Sequence, residues 1–122
     1  MFIHKSIKFT TLNIDNYCLD QDFEVCAIHL KSFCYKLCVL AIYRSPLGNF
    51  TTFLSNFDLI LNKFFNLKFS FIICGDININ YLVESLKKNL LDNILHSFNR
   101  SSVVNFPTRI GPILFQLWTM FL

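Results

Sequence analysis

The chain has 122 residues, of which 53% are hydrophobic and 16% charged, with a formal net charge of +3. That length supports one domain with a real core but not two that fold independently. The mild charge, on scattered Lys and Arg, permits a polyanionic partner without demanding one, and no apolar run reaches the roughly 18 to 20 residues that cross a bilayer.

The opening text MFIHKSIKFTTLN contains Lys5 and Lys8 but no continuous apolar stretch followed by a small-residue cleavage site, so a secretory leader is not expected. Cysteines Cys18, Cys26, Cys34, Cys38 and Cys74 are odd in number, and three lie inside apolar runs. Reduced, buried thiols in an intracellular protein fit that pattern. Phe, Asn, Ile, Lys and Tyr, all abundant, have AT-rich codons, so the 15 Phe need not all be core.

Residues 23–30, FEVCAIHL, and 35–43, YKLCVLAIY, read as two strands joined through KSFC. Ser45, Pro46, Gly48 and Asn49 make a turn. Phe50, Phe53, Leu54, Phe57, Ile60, Leu61, Phe64 and Phe65 then recur at steps of three and four, predicting a helix with one apolar stripe. FSFIIC at 69–74 is nearly continuous in apolar residues, the pattern of an interior strand covered on both faces, ending at Gly75. Residues 84–98 place Leu86, Leu90, Leu91, Ile94, Leu95 and Phe98 at helical spacing, and SSVVNF after them reads as a short strand. Alternating strands and helices define an α/β class. No internal repeat or linker-like stretch divides the chain.

Chemistry concentrates at Gly75-Asp76-Ile77-Asn78. In extended backbone Asp76 and Asn78 project to one face, and strand ends of α/β sheets are where ligands bind. Gly75 leaves room for close approach of a phosphate or another chain. An Asp can orient or deprotonate a water, and a neutral Asn amide can donate to a phosphate oxygen without repelling it. Short polar residues also terminate strands and shape loops, and the tetrapeptide taken alone favours that structural role.

The chain carries AIYRSP at 41–46, IICGDININ at 72–80 and NFPTR at 105–109, in that order. Together these resemble the endonuclease/exonuclease/phosphatase superfamily, and within it the endonuclease domains of non-LTR retrotransposons. The resemblance covers residues 1–112 and implies a partial four-layer α/β sandwich, with 113–122 as a divergent tail. It implies phosphodiester hydrolysis of DNA at retrotransposition targets, Mg²⁺ as cofactor and DNA as partner. Tyr43, Asp76 and Asn78 match the family's catalytic residues, and Arg44 and Thr108 fall in its substrate-binding segments. Read from the residues alone, Tyr43 is a half-buried strand aromatic and Arg44 a solvated strand end.

The family's metal-binding glutamate and first-strand asparagine precede the segment matching 2–6, and its serine-x-x-aspartate and serine-aspartate-histidine segments have no match in the tail. No metal ligand is therefore assigned here, and little or no activity is expected. Because Trp118 and Met120 each have one codon, the neighbouring frame is partly fixed and permits Ala-Met-Asp-Asn-Val, which resembles the missing aspartate segment. A frameshift near 111–114 would produce this.

Rival sites are weaker. If 35–43 is a strand, Cys34 and Cys38 stand about 13 Å apart, too far to share one zinc. His4, His29 and His96 lack a carboxylate or nucleophile at fixed spacing. Lys63, Lys68, Lys87, Lys88 and Arg100 fit solvated surfaces as well as a nucleic-acid backbone. A different class of reading is a noncatalytic module that self-associates through exposed sheet edges and apolar faces.

Overall fold

The computed structural model describes residues 3–31 and 36–103. Its elements are β1 (Phe9–Leu12), a 3-10 turn at Asp15–Tyr17, β2 (Glu24–Leu30), β3 (Leu37–Tyr43), α1 (Phe50–Asn66), β4 (Ser70–Asp76) and α2 (Leu86–Ser97). The strands form one sheet in the order β1-β2-β3-β4. The first three are mutually antiparallel, whereas β3 and β4 run parallel. That parallel pairing follows from α1, which returns the chain along the sheet as a strand-helix-strand crossover.

Both helices lie on the same face. Alternation turns Cys38, Leu40 and Ile42 of β3 toward it, beside Phe71 and Ile73 of β4 and Val25 and Ala27 of β2. Against this surface α1 buries Phe53, Phe57, Ile60, Leu61 and Phe64, and α2 buries Leu91 and Leu95, with Phe98 just beyond its end. The three-and-four spacing of Phe residues is thus the structural stripe it predicts. Asn49 caps α1 by accepting from the Thr52 amide at 3.0 Å, and Ser85 caps α2 by accepting from Lys88 at 3.2 Å, each meeting an amide that the first turn leaves unpaired.

Several expectations need correction. β1 has no counterpart in the sequence reading, because FTTL is short and largely exposed. β4 runs on through Gly75 to Asp76, and it stands at the edge of the described sheet with only one face fully buried. Its apolar text is continuous because Ile72 and Cys74 occupy the second, half-buried face. Leu86, 74% exposed, Leu90 and Phe65 face outward despite their helical spacing. Residues 101–103 form no strand, and the rest of SSVVNF lies outside the described residues, as do NFPTR and the tail.

The described residues form two layers, one sheet and one helical layer, within the α/β class; they do not by themselves make a four-layer sandwich. No helix among them is long and apolar enough to cross a membrane. Cys38 is buried, Cys18 and Cys74 are half-buried and Cys26 is exposed, correcting the expectation of uniformly buried thiols. Cys26 and Cys38 fall on opposite faces of the sheet, since Cys26 pairs with Ala41 and Cys38 with His29. Cys34 lies outside the described residues.

Candidate active site at the ends of β3 and β4

Tyr43 and Asp76 are partners in the parallel register, the last residues of β3 and β4. Adjacent strands are about 4.8 Å apart and paired residues project to the same face, so the two side chains stand abreast at the sheet's end. Tyr43 is 42% exposed and Asp76 half-buried. The ladder continues one step further, with the Arg44 amide donating to the Asp76 carbonyl at 3.0 Å.

Gly75 makes this approach possible. Its φ is +136°, a conformation that side chains rarely adopt, and a Cβ built there would meet the Ile42 carbonyl oxygen at 1.8 Å. The room anticipated at this glycine is therefore occupied by the neighbouring strand rather than by a ligand.

Beyond Asp76 the backbone departs from the extended reading. Asn78 has φ +53°, a left-handed conformation that Asn tolerates better than most residues. Its amide N–H donates to Asp76 Oδ1 at 3.1 Å, an Asx turn. Consequently Asp76 and Asn78 do not extend as alternate residues of one strand. Asn78 Nδ2 instead donates to the Arg44 carbonyl at 2.6 Å, and its Oδ1 is buried without a partner among the described residues.

Arg44 reciprocates. It is 1% exposed. Nε donates to the Ile77 carbonyl at 3.0 Å, Nη2 to the Asn78 carbonyl at 3.0 Å, and Nη1 to the Gly48 carbonyl at 2.9 Å. The guanidinium also lies over the rings of Phe50 and Phe53, 5.5 and 5.9 Å from their centroids. Burial lowers its pKa, while Asp76 and then Asp22 oppose the shift. Arg44 is thus neither a solvated strand end nor a charge presented at the surface, because backbone carbonyls consume its donors. Thr108 lies outside the described residues.

Two further features were not read from the sequence. Glu24 of β2 pairs with Tyr43, so Glu24, Tyr43 and Asp76 form a row across three strands. Only the register reveals it. Tyr81, buried after the Asx turn, donates from its hydroxyl to Asp92 Oδ1 of α2 at 2.8 Å. Burial first, and then Asp92, pushes that hydroxyl's pKa well above its ordinary value.

Mg²⁺ takes octahedral oxygen ligands, commonly one or two carboxylates with several waters. Asp76 offers one carboxylate, whose second oxygen has no hydrogen-bond partner among the described residues. No group of three His, Cys, Asp or Glu side chains gathers among them, and Glu24 stands two strands away. The fit to a divalent cation is therefore partial.

A helix-backed mixed sheet with its polar residues at the ends of a parallel strand pair belongs among the α/β folds that carry sites at strand termini. Among solved structures the chain is similar to the endonuclease domain of TRAS1, a telomere-specific non-LTR retrotransposon, with a TM-score of 0.70 at 11% identity. The match covers 97% of this chain and 57% of that one. The likeness is one of fold, and the chain spans little more than half the length of the domain it matches. No protein-family model and no curated protein matches the sequence.

Proposed function

We propose that the chain is a segment of a metal-dependent DNA endonuclease domain, acting on phosphodiesters in target-site nicking, and that by itself it retains little or no activity. The observation carrying this reading is the side-by-side pairing of Tyr43 and Asp76 at the sheet end, in a fold similar to an endonuclease domain. In this reading Asp76 orients the attacking water and Tyr43 donates its hydroxyl to a phosphate oxygen. Asn78 and Arg44 act as positioning residues that hold the loop after β4. Thr108 is retained as a substrate contact from the family resemblance alone.

Mg²⁺ would use Asp76 as one ligand and supply charge neutralisation at the phosphate. With one carboxylate at the strand end, binding is weak and the metal-dependent step is lost or slow. Plasmid nicking with Mg²⁺, beside duplex-DNA binding by anisotropy, tests both halves of the proposal. The expected result is DNA binding weakened by Tyr43→Ala, with nicking no greater than that of Asp76→Ala. Clear nicking abolished by Asp76→Ala would overturn the inactivity. Absence of both nicking and Tyr43-dependent DNA binding would remove the nuclease reading and leave the noncatalytic, self-associating module, which the half-buried second face of the sheet favours.

A further inference from the structure

At the opposite end of β4, Phe65, Asn66, Lys68, Phe69, Ser70 and Arg100 line a cleft of about 470 Å³. Arg100 reaches it because α2 ends in a left-handed Asn99, φ +55°, and the Arg100 amide then donates back to the Leu95 carbonyl at 2.9 Å. This turn brings the Arg100 guanidinium over the Phe71 ring, 4.5 Å from its centroid, and leaves the residue 5% exposed.

The charge so buried is poorly compensated. Nη1 donates to the Asn99 carbonyl at 3.1 Å, and Nε has no acceptor among the described residues. Among the described residues no acidic side chain lines the cleft, and the ion pair present joins Lys88 to Glu84, elsewhere. A buried guanidinium without a counter-charge costs several kcal/mol in general, and its surroundings are rich in donors. Lys68 is exposed with no ion pair, and the side chains of Asn66 and Ser70 make no hydrogen bond among the described residues.

We propose that this cleft is an anion site that binds a phosphate group, with Arg100 as its buried anchor and Lys68, Ser70 and Asn66 as its outer donors. A tetrahedral dianion matches a guanidinium flanked by an ammonium, a hydroxyl and an amide, each of which donates. The site is independent of the strand-end residues. β4 runs from Ser70 to Asp76, and six steps of about 3.3 Å put the two ends roughly 20 Å apart. The phosphate can be free or part of a nucleic-acid backbone, which the chemistry alone does not separate.

The test is a titration of the full 122-residue chain with inorganic phosphate and, separately, with a short oligothymidylate, followed by ¹H–¹⁵N spectra of the guanidinium groups. The Arg100 Nε–H resonance should shift to saturation at millimolar phosphate. Arg100→Met should weaken binding at least about tenfold, because a charge-assisted anchor is lost. Lys68→Gln, on the exposed rim, should weaken it about threefold. Asp76→Ala should leave it unchanged. Thermal melts of Arg100→Met guard against unfolding, since removing an uncompensated buried charge should hold or raise the melting temperature. Saturation by oligothymidylate as well as phosphate identifies a backbone site, and saturation by phosphate alone a site for free phosphate. No shift with either probe, or equal affinity in Arg100→Met, would overturn the proposal whatever the outcome at Asp76.

Discussion

Gly75 and Arg44 govern the end of β4 from opposite sides, one by lacking a side chain and the other by spending its donors on the loop. Gly75→Ala would force a Cβ against the Ile42 carbonyl at a φ that alanine resists, and a cost of about 3 kcal/mol or more is expected in urea unfolding. Arg44→Met would leave the carbonyls of Ile77, Gly48 and Asn78 without their donor. At about 1 kcal/mol or more for each, the loss is again about 3 kcal/mol. Arg44→Lys should recover little of it, because a single ammonium cannot span three acceptors. A loss under about 1 kcal/mol for Arg44→Met would refute the clamp. Cys38 supplies a pH dependence. Burial pushes its thiol from 9.0 up to about 12, with a hydrogen bond to the Ile28 backbone acting the other way. The folded pKa is raised, so this contribution is fully present below pH 9 and declines as pH rises toward 12. The decline is about 1.4 kcal/mol per pH unit. Stability measured between pH 8 and 10.5 should therefore show the wild-type advantage over Cys38→Ala shrinking above pH 9. A constant difference would place the thiol in a polar environment. At this scale the family resemblance names Tyr43 and Asp76 together and the register stands them abreast, whereas the room expected for a ligand at Gly75 is taken by the Ile42 carbonyl. The sequence reading misses the burial of Arg44 because a guanidinium serves a phosphate or a backbone carbonyl equally well. It misses the turn at Asn78 because an Asx hydrogen bond competes locally with strand alternation.

Among the elements, α1 is the most legible because period 3.6 and burial coincide from Phe53 to Phe64, failing only at Phe65 near its end. The register of its stripe makes a graded prediction. Phe57 is 2% exposed and its ring stacks 5.6 Å from that of Phe53, whereas Phe65 is 51% exposed. Phe57→Ala should cost about 3 to 5 kcal/mol and Phe65→Ala about 1 kcal/mol or less, read as shifts in the urea midpoint. Equal costs would mean that the helix is rotated from the orientation described. α2 is less legible. Leu86 and Leu90 have the spacing of core residues, yet within the helix only Leu91 and Leu95 bury fully. β1 is invisible for the opposite reason. Its four residues gain their place from pairing with 27–30 of β2 rather than from any apolar pattern of their own, and strand preference depends strongly on such context.

For the whole molecule, the sheet is asymmetrically covered. One face carries both helices. The other presents Leu37, Val39, Ala41 and Ile72 half-buried, flanked by Phe9 and Tyr43, each about two-fifths exposed, with no described helix upon it. The TRAS1 domain extends well beyond the part this chain matches. A face of this composition gains roughly 25 cal/mol for each Å² of apolar surface removed from water, and the self-associating reading predicts that a second copy covers it as concentration rises. Sedimentation velocity should accordingly show a weight-average mass that climbs with concentration, and Phe9→Lys together with Ile72→Lys should return it to that of a monomer. Both substitutions lie on the face away from the helical core, so a charge at each opposes docking by desolvation while leaving the α1 and α2 packing intact. If wild type and double variant sediment identically as monomers, the face is closed within a single chain and the self-associating reading falls. If both associate equally, the contact lies elsewhere, with the exposed Val83, Leu86 and Leu90 beside α2 as the next surface to test.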